Sequence, residues 1–259
     1  MRLSPRHPRY RSLRTRVLLA EHARRGVVAP EGLIAHGRGE AFDYLLGERT
    51  SPSARRAIRV AGIWLRAARR PVISVNGNVA ALAADEIARL VAALPTLGVE
   101  VNLFHRTPRR AALVARLLTD AGVRDVLGVH PTAKIPRLPS DRAAVDRRGI
   151  AVADVCLVPL EDGDRTAALR ALGKRVISID LNPLSRTSLT ADLPIVDELV
   201  RALRALGREV GRPGPRPTIG RFPPFDRRAA LAAALATIDR NLNRAASRRP
   251  PAAPRRRAS

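Results

Sequence analysis

Two kinds of hydrophobic pattern alternate along this chain. Short apolar runs rich in β-branched residues are typical of buried strands, and longer stretches with an apolar residue every three or four positions are typical of helices. Strands are predicted at residues 71–75, 99–104, 154–158, 176–179 and 193–196, the last at a sheet edge, with a weaker candidate at 123–129. Helices are predicted at residues 51–70, 80–93, 108–121 and 197–206, with another ending at 172. This alternation predicts βαβ units, and therefore an α/β fold with a mainly parallel sheet flanked by helices.

The two ends of the chain differ from this regular middle. Apolar residues from Leu13 to Ala23 predict an N-terminal helix that Gly26 ends. We therefore expect residues 1–207 to form one α/β domain with an N-terminal helical segment, followed by a Pro- and Gly-rich linker at 208–225. A C-terminal helix at 226–244 has Leu231, Leu235, Ile238 and Leu242 on one face, which must cover the domain or a partner subunit. Residues 245–259 are expected to be a disordered basic tail.

Two segments of the domain are less regular. Arg38 stands between Gly37 and Gly39, so the backbone there is expected to approach a ligand closely, with a short helix following it. The guanidinium of Arg38 offers paired donors that suit phosphate or carboxylate. Residues 130–150 contain three prolines and no clear period, so they are predicted to be a long loop over one edge of the sheet.

Composition limits the class of protein. No apolar run is long enough to span a bilayer and no signal peptide begins the chain, so we expect a soluble cytoplasmic protein. The single cysteine, Cys156, lies in an apolar run and is predicted to fill a strand. The net charge of +24 is concentrated at residues 1–25 and 211–259. It predicts salt-dependent, nonspecific attraction of nucleic acid through the basic tail, if any. Few aromatic residues are available for base stacking.

Polar residues follow several predicted strands at the point where each strand ends. Asn76, Gly77 and Asn78 follow the first strand, residues 105–107 the second, and residues 180–187 the strand at 176–179. Because the carboxyl ends of parallel strands lie at one edge of a sheet, these groups are expected to converge on a ligand site there. The arginine, asparagine, aspartate and glycine residues of this edge suit a ligand that carries phosphate.

Each of these residues also has a purely structural interpretation. Asp180 and Asn182 could satisfy backbone groups in an ordinary strand-to-helix turn. His36 could be a buried histidine, and Arg16 one more solvated arginine. Three carboxylates, Glu161, Asp162 and Asp164, could hold Mg²⁺ through water, or they could be the acids that favour a helix N-terminus.

Five segments in order resemble a known family, the archaeal 4-phosphopantoate:beta-alanine ligases, also called phosphopantothenate synthetases. The segments are residues 7–16, which begin His-Pro-Arg-Tyr; residues 32–48, which include His-Gly-Arg-Gly-Glu; residues 72–78, Val-Ile-Ser-Val-Asn-Gly-Asn; residues 158–166, Val-Pro-Leu-Glu-Asp-Gly-Asp-Arg-Thr; and residues 179–187, Ile-Asp-Leu-Asn-Pro-Leu-Ser-Arg-Thr. The resemblance covers roughly residues 5–206. The arginine-rich tail is peculiar to this chain.

The resemblance implies an enzyme of archaeal coenzyme A biosynthesis on a Rossmann-like fold, acting as a homodimer. Its substrates would be 4-phosphopantoate, beta-alanine and ATP with Mg²⁺, and its products 4′-phosphopantothenate, AMP and diphosphate. The residues that match the family's nucleotide site are Arg16, Arg38, Asp180, Leu181, Asn182, Arg186 and Thr187, with Asp197 and Glu198 close by. For the phosphopantoate side the candidates are His36, Asn76, Asn78 and Arg106, and Arg38 and His36 are the catalytic candidates.

We expect a phosphopantoyl adenylate as the intermediate, because a carboxylate must be activated before an amine can attack it. An acyl phosphate is the alternative intermediate. Two other classes of protein compete with this interpretation: another α/β enzyme acting on a nucleotide or sugar phosphate, and a basic nucleic-acid-binding protein.

Overall fold

Six parallel strands form the central sheet of the protein. This computed structural model describes residues 4, 6–7, 9–215 and 217–247. The sheet contains β1 (Pro71–Val75), β2 (Gly98–Val101), β3 (Val126–Leu127), β6 (Val155–Pro159), β7 (Arg175–Ile179) and β8 (Leu193–Ile195). Its order is β3-β2-β1-β6-β7-β8, and each neighbouring pair is parallel. This is the strand order of the Rossmann fold, so the predicted fold class is confirmed.

Apart from α1, the helices begin where the sequence supplies a cap or a proline. They are α1 (Tyr10–Arg24), α2 (Pro30–Leu46), α3 (Pro52–Ala67), α4 (Gly77–Ala93), α5 (Pro108–Asp120), α6 (Gly163–Ala171), α7 (Arg186–Thr190), α8 (Leu199–Val210) and α9 (Arg227–Ala246). Side-chain oxygens of Asn76, Thr107 and Asp162 accept hydrogen bonds from backbone N–H groups in the first turns of α4, α5 and α6. These three caps stand at the ends of strands or of the loops that follow them, so they fix where the chain turns at that edge of the sheet.

Both faces of the sheet are covered. One core contains Ile73, Val75 and Leu157 from the sheet and packs against α3, α4, α5 and α8. The other contains Cys156 and Val158 and packs against α6 and the segment 133–153. Adjacent residues of one strand therefore enter opposite cores, as the period of a strand requires. Burial raises the pKa of the Cys156 thiol to about 12, which keeps it protonated and agrees with its predicted role as filling.

The region beyond α8 packs onto the domain. Trp64 Nε1 donates a hydrogen bond to the carbonyl of Pro223 (2.9 Å), and Phe222 and Phe225 lie against the core. Leu231 on α9 is buried. The C-terminal helix therefore covers the domain itself. Leu235 and Leu242, however, were predicted to be buried and are exposed, because the contact with the domain is made by Leu231, Ala234, Ile238 and Asn241. Residues 248–259 of the predicted disordered tail lie outside the described part of the chain.

Three predictions about elements were wrong. The segment around Arg38 is not a loop before a short helix, because α2 is continuous from Pro30 to Leu46. The helix predicted to end at Gly207 continues to Val210, whose burial outweighs the weak helix preference of one glycine. Residues 130–150 are not a structureless loop. They contain an antiparallel pair, β4 (Ala133–Lys134) and β5 (Ala144–Val145), and a 3₁₀ turn at Asp141–Ala143.

Apart from these differences, the predicted elements occur with shifted boundaries. The strand candidate at 123–129 is reduced to the two residues of β3, and the strand predicted at 99–104 ends at Val101. Within the described residues, no helix combines the length and the apolar character needed to cross a membrane.

Candidate functional site

The order of the strands reverses between β1 and β6, and the loops that follow these two strands flank a crevice. The Asn76 side chain joins them: its Oδ1 accepts from the N–H of Val79 (3.1 Å), and its Nδ2 donates to the carbonyl of Leu160 (2.9 Å). Open α/β sheets bind their ligands at such a switch point, outside the carboxyl ends of the strands. Asn76 therefore lies at the carboxyl end of β1, as predicted, and the hydrogen bonds of its amide join the two walls of the crevice.

Helix α2 lies across this edge of the sheet. Near its start, the Nδ2 of Asn78 donates to the carbonyl of Gly32 (2.7 Å). A side chain at position 32 would collide with Asn78, so this glycine is needed for the close approach. Near its end, Arg201 of α8 binds both carboxylate oxygens of Asp43 and one of Asp197. The helix is thus fastened at both ends, over β1 and beside β8.

Residues of α1 and α2 form a polar cluster above the crevice. Arg16 binds Glu40 through Nε (3.0 Å) and Nη2 (2.7 Å), and Tyr44 donates to the other oxygen of Glu40 (3.3 Å). Burial would raise the pKa of Glu40, but the hydrogen bond and charge of Arg16 lower it below the ordinary value. Burial lowers the pKa of His36, and Arg16 acts in the same direction. The Nε2 of His36 is buried and has no hydrogen-bond partner among the described residues. His36 is therefore neutral at neutral pH and offers an unused nitrogen.

The loop after β7 is organised by its own polar side chains. Asp180 accepts from the backbone N–H of Asn182 (2.9 Å) and from the hydroxyl of Ser185 (2.6 Å). Asn182 in turn accepts from the N–H of Leu184 (2.8 Å). Burial raises the pKa of Asp180, and the positive charge of Arg38 on α2 opposes this rise. The hydrogen bonds of Asp180 and Asn182 are therefore those of the structural interpretation. A Cβ at Gly39 would lie 4.0 Å from the Leu181 side chain, so α2 and this loop face each other.

Arg186 and Thr187 follow at the start of α7 and point in different directions. Arg186 is exposed and binds Asp164 (2.5 Å). Thr187 is buried, and its hydroxyl donates to the carbonyl of Glu161 (2.7 Å). Arg186 can therefore reach a ligand in the crevice, whereas the hydroxyl of Thr187 fastens this loop to the loop after β6.

Asp197 and Glu198 are less accessible than the other members of the predicted nucleotide site. Asp197 is buried and accepts from the hydroxyl of Thr50 (2.7 Å) as well as from Arg201. Glu198 caps α8 through the N–H groups of Val200 and Arg201 (2.9 Å each), and burial raises its pKa. Through Arg201, Asp197 is linked to Asp43 on α2, whereas Glu198 only caps α8. Leu181 packs against a small core of Leu46, Val196, Leu231 and Ala234.

The three carboxylates after β6 have structural partners. Glu161 is buried between Arg142 and Arg165 and forms an ion pair with each. Asp162 caps α6, and Asp164 pairs with Arg186. Among the residues that the structure describes, no group of three His, Cys, Asp or Glu side chains is placed to hold a metal ion. Glu161 is thus held by two arginines, and Asp162 and Asp164 stand at the N-terminus of α6.

Arg106 lies on the other side of the crevice, after β2. Its Nη2 donates to the carbonyls of Gly128 (2.6 Å) and Val129 (2.7 Å). It lines a cleft of about 570 Å³ with Lys134, Arg137 and other residues of the segment 134–144. No sequence signal singled out two further arginines of this region. Arg110 lies in the first turn of α5 and Arg142 pairs with Glu161, and only the fold brings them to this side of the sheet.

The order of the strands divides the site into two sides. The predicted nucleotide residues lie at β7, β8 and the facing side of α1 and α2, while Arg106 lies at β2. The crevice between β1 and β6 separates them. The predicted phosphopantoate residues Asn76 and Asn78 border this crevice, with His36 on the overlying helix.

Comparisons with known proteins agree with this arrangement. The family model described as phosphopantothenate/pantothenate synthetase matches residues 53–241, which is more than half of the chain. The chain belongs to this family. It is 55% identical over 202 residues to a protein of Methanospirillum hungatei named 4-phosphopantoate--beta-alanine ligase, covering 78% of this chain and 82% of that protein.

Two more relatives carry the same name. A Methanosarcina mazei protein is 47% identical over 239 residues, covering 91% of this chain and 94% of that protein. A Thermococcus kodakarensis protein is 53% identical over 197 residues, covering 76% of this chain and 75% of that protein. The family resemblance seen in the five sequence segments is confirmed, and it extends through the linker and most of α9.

Proposed function

We propose that this protein is a ligase that joins 4-phosphopantoate to beta-alanine in coenzyme A biosynthesis, with ATP cleaved to AMP and diphosphate. The observation that carries the proposal is the family membership together with the position of three matching segments at the carboxyl ends of β1, β6 and β7. The relatives named for this reaction share about half of their residues with the chain over most of its length.

The reaction we propose has two steps. A carboxylate oxygen of 4-phosphopantoate attacks the α-phosphorus of ATP, and diphosphate leaves with the bonding electrons. The amine of beta-alanine, after losing a proton, then attacks the carbonyl carbon of the phosphopantoyl adenylate. AMP leaves, and the amide bond of 4′-phosphopantothenate forms. The first step makes a good leaving group, which a free carboxylate lacks.

The charges of the site suit the first step. Arg38 is exposed on α2 and faces the Asp180 loop, and Arg186 is exposed on the same side. Two cations placed where negative charge gathers on the α-phosphate and the leaving diphosphate would lower the barrier by electrostatic stabilisation. Arg16 would contribute a third cation once ATP competes with Glu40 for its guanidinium. Asp180 and Asn182 are placed to position the ribose or the base.

His36 and the two asparagines have positional roles in this proposal. The neutral imidazole of His36 can donate or accept one hydrogen bond toward the crevice. Asn76 and Asn78 hold the crevice wall and the start of α2 through the bonds described above. Accurate placement of two substrates and ATP supplies much of the rate enhancement that such a reaction needs.

Mg²⁺ is proposed to enter as the complex with ATP. The described residues do not present a preformed set of carboxylates for it. Mg²⁺ commonly keeps several waters and binds substrate phosphates with only one or two protein carboxylates. We therefore assign no protein ligand to the ion and derive no step of the reaction from it.

We also propose that the protein acts as a homodimer. Val17 on α1 and Leu33, Ile34 and Tyr44 on α2 are large apolar residues that remain exposed. Exposed apolar side chains grouped on neighbouring helices often mark an interface. Sedimentation equilibrium should give twice the mass of the chain, and a monomer at micromolar concentration would contradict the proposal.

The test of the function measures all products together. Purified protein is incubated with ATP, Mg²⁺, 4-phosphopantoate and beta-alanine, and AMP, diphosphate and 4′-phosphopantothenate are quantified. Equal amounts of AMP and product, formed only when both organic substrates are present, support the proposal. ADP and phosphate in place of AMP would replace the adenylate by an acyl phosphate. Absence of turnover from folded protein would refute the ligase function.

A further inference from the structure

Glu161 follows β6 and contacts elements on both sides of the crevice. Its backbone carbonyl accepts a hydrogen bond from the hydroxyl of Thr187, at the start of α7 (2.7 Å). One of its carboxylate oxygens pairs with Arg165 of α6, whose Nη1 also donates to the hydroxyl of Ser74 on β1 (2.9 Å). The other oxygen pairs with Arg142, in the 3₁₀ turn before β5. A single residue therefore links the loops after β6 and β7 to β1 and to this turn.

The turn that carries Arg142 is attached to the end of β2. Asn102 comes directly after this strand, and its Nδ2 donates to the carbonyls of Arg142 (3.2 Å) and Ala144 (3.0 Å). The backbone N–H of Asn102 in turn donates to the carbonyl of the last residue of β1 (2.9 Å). Arg142 also pairs through Nε with Asp162 (3.2 Å). The Arg142 guanidinium therefore meets Glu161 in a position that β1 and β2 determine.

The backbone just before Glu161 is strained. Leu160 has a φ of 49°, in the left-handed region that residues other than glycine seldom adopt. Two bonds hold it there: its N–H donates to the carbonyl of Ile179 (3.0 Å), and its carbonyl accepts from Nδ2 of Asn76 (2.9 Å). Such a conformation persists only where surrounding contacts impose it, and it occurs most often at functional sites. The place of Glu161 is thus fixed by β1 and β7 at a cost in free energy.

The ion cluster of Arg142, Glu161 and Arg165 is almost completely buried. At most 8% of any of these three side chains is exposed. Removing three charged groups from water costs free energy, and apolar residues of similar volume often give an equally stable or more stable fold. The Nε and Nη2 atoms of Arg165 add to this cost, because they are buried and have no hydrogen-bond partner among the described residues. Stability therefore does not account for the cluster, whereas its directional bonds can fix the separation of the segments that they join.

We propose that Glu161 is a positioning residue for the ligase reaction. Through Arg142 and Arg165 it holds the two sides of the crevice at the separation that brings the amine of beta-alanine to the adenylate. It acts through these arginines and not on the reacting atoms. This inference rests on the proposed ligase function and adds the three residues of the cluster to it.

The step that this position controls is the second one. The amine of beta-alanine and water compete for the same carbonyl carbon of the adenylate. Attack by water would expel AMP and regenerate 4-phosphopantoate, so ATP would be cleaved without formation of 4′-phosphopantothenate. Accurate placement of the amine and exclusion of water favour the amide.

The test compares Glu161→Gln with Glu86→Gln as the matched control. Glu86 is also a buried carboxylate that pairs with two arginines, Arg89 and Arg204, but it lies in the middle of α4 and joins this helix to α8. Both variants lose a buried charge between two guanidiniums, so both should melt at a lower temperature. Glu161→Gln should lower kcat about tenfold to a hundredfold, because small displacements of reacting groups have effects of this size. Its KM values should stay within about threefold, and Glu86→Gln should keep the wild-type kcat.

A second variant separates positioning from lost stability. Arg142→Met, Glu161→Leu and Arg165→Met are combined, so that no charged member of the cluster remains. This triple variant should melt at a higher temperature than Glu161→Gln, because no buried charge is left without its partner. It should nevertheless have a kcat as low as that of Glu161→Gln. If the cluster only stabilised the fold, kcat would recover together with the melting temperature.

The measurement that a loss of stability does not change is the amount of ATP cleaved for each 4′-phosphopantothenate formed. The two amounts should be equal in the wild type and in Glu86→Gln. In Glu161→Gln and in the triple variant, cleaved ATP should exceed product about twofold or more at saturating beta-alanine. Wild-type kcat in the folded triple variant, or equal amounts of cleaved ATP and product in it, would overturn the positioning role.

The two proposals fail in different ways. If the wild type forms no 4′-phosphopantothenate, the ligase function is wrong. If the wild type forms it and the triple variant keeps either its kcat or its equal yields, only the positioning role of Glu161 is wrong.

Discussion

At the scale of single residues, a side chain's partner decides what it can still do. Arg165 is completely buried and bound to Glu161 and Ser74, so its charge serves the packing of the loop after β6. Arg38 is also an arginine near the same edge of the sheet, but it is exposed and forms no ion pair within the described residues. An arginine that is fixed by a helix and free of carboxylates is available for a phosphate.

Replacing Arg38 by Ala should therefore reduce kcat by about a hundredfold or more, because a cation that faces the reacting phosphate stabilises the transition state. The fold should be unchanged, since the side chain is exposed and alanine favours a helix. Steady-state kinetics and a thermal melt measure both effects. Arg59→Ala, an exposed arginine inside α3, is the matched control and should keep full activity. Near-normal turnover of Arg38→Ala would remove this residue from the site.

At the scale of elements, two glycines inside helices show how neighbours decide the effect of a missing side chain. Gly207 lies within α8, and a Cβ there would meet nothing within 4 Å. Gly62 lies within α3, and a Cβ there would come within 3.0 Å of Glu209. The first glycine only weakens its helix, whereas the second allows α3 and α8 to pack closely.

Gly207→Ala should raise the free energy of unfolding by about 0.5–1 kcal/mol, the usual difference between the two residues in a helix interior. Gly62→Ala should lower it or leave it unchanged, because overpacking against α8 opposes the same gain. Urea unfolding curves of the two variants and the wild type provide the measurement. A destabilised Gly207→Ala protein would mean that α8 does not continue past this residue in solution.

Another link between elements is the carboxyl group of Glu100, which lies buried on β2. It accepts from the backbone N–H groups of Asp146 (3.1 Å) and Ile150 (2.6 Å), so it fastens the segment after β5 to the sheet. Burial raises its pKa to about 7 against the opposing effect of these two bonds. In the unfolded chain a glutamate has a pKa of about 4.3.

At pH values between about 4.3 and about 7, the Glu100 carboxyl is therefore protonated in the folded protein and ionised in the unfolded chain. The free energy of unfolding must fall as the pH rises through this interval. Between pH 5 and pH 7 the free energy of unfolding should fall by roughly 2 kcal/mol because of this group alone. Glu100→Gln should lose this slope, whatever its absolute stability, and the exposed Glu21→Gln should retain it. Urea unfolding at several pH values decides the matter, and equal slopes in wild type and Glu100→Gln would contradict the prediction.

At the scale of the whole molecule, part of the positive charge lies outside the described core and the candidate site. The net charge is +24, yet the described core and the candidate site lie within residues that end before the last twelve of the chain. Those twelve residues, 248–259, contain five arginines and no acid. Such a segment attracts polyanions through counter-ion release and needs no specific surface.

Deleting residues 248–259 should leave the melting temperature and the ligase activity unchanged and weaken binding to single-stranded DNA. The plot of log affinity against log salt should lose a slope of up to about 3.5, because each of the five arginines can make one phosphate contact that contributes about 0.7 on a single strand. Fluorescence anisotropy over a salt series measures this slope. Loss of catalytic activity in the truncated protein would show that the tail belongs to the enzyme's function.

The sequence alone determined the fold class and most of the helices and strands, because these depend on local hydrophobic period, caps and breakers. It also located Asp180 and Asn76 at strand ends, since parallel strands bring their carboxyl ends together. Only the tertiary structure decided the rest. Helix α2 is continuous through Gly37 and Gly39 because distant contacts with Asn78 and Arg201 hold it.

The pairing of β4 with β5 depends on residues far apart in the chain, and so does the lack of a carboxylate within 4.0 Å of the Arg106 and Arg110 guanidiniums among the described residues. Hydrophobic periodicity records the neighbours along a helix or strand, but it does not record which distant charge faces which. The sequence therefore predicted which edge of the sheet carries the candidate site, and the tertiary structure decided which of the described arginines there have no carboxylate partner.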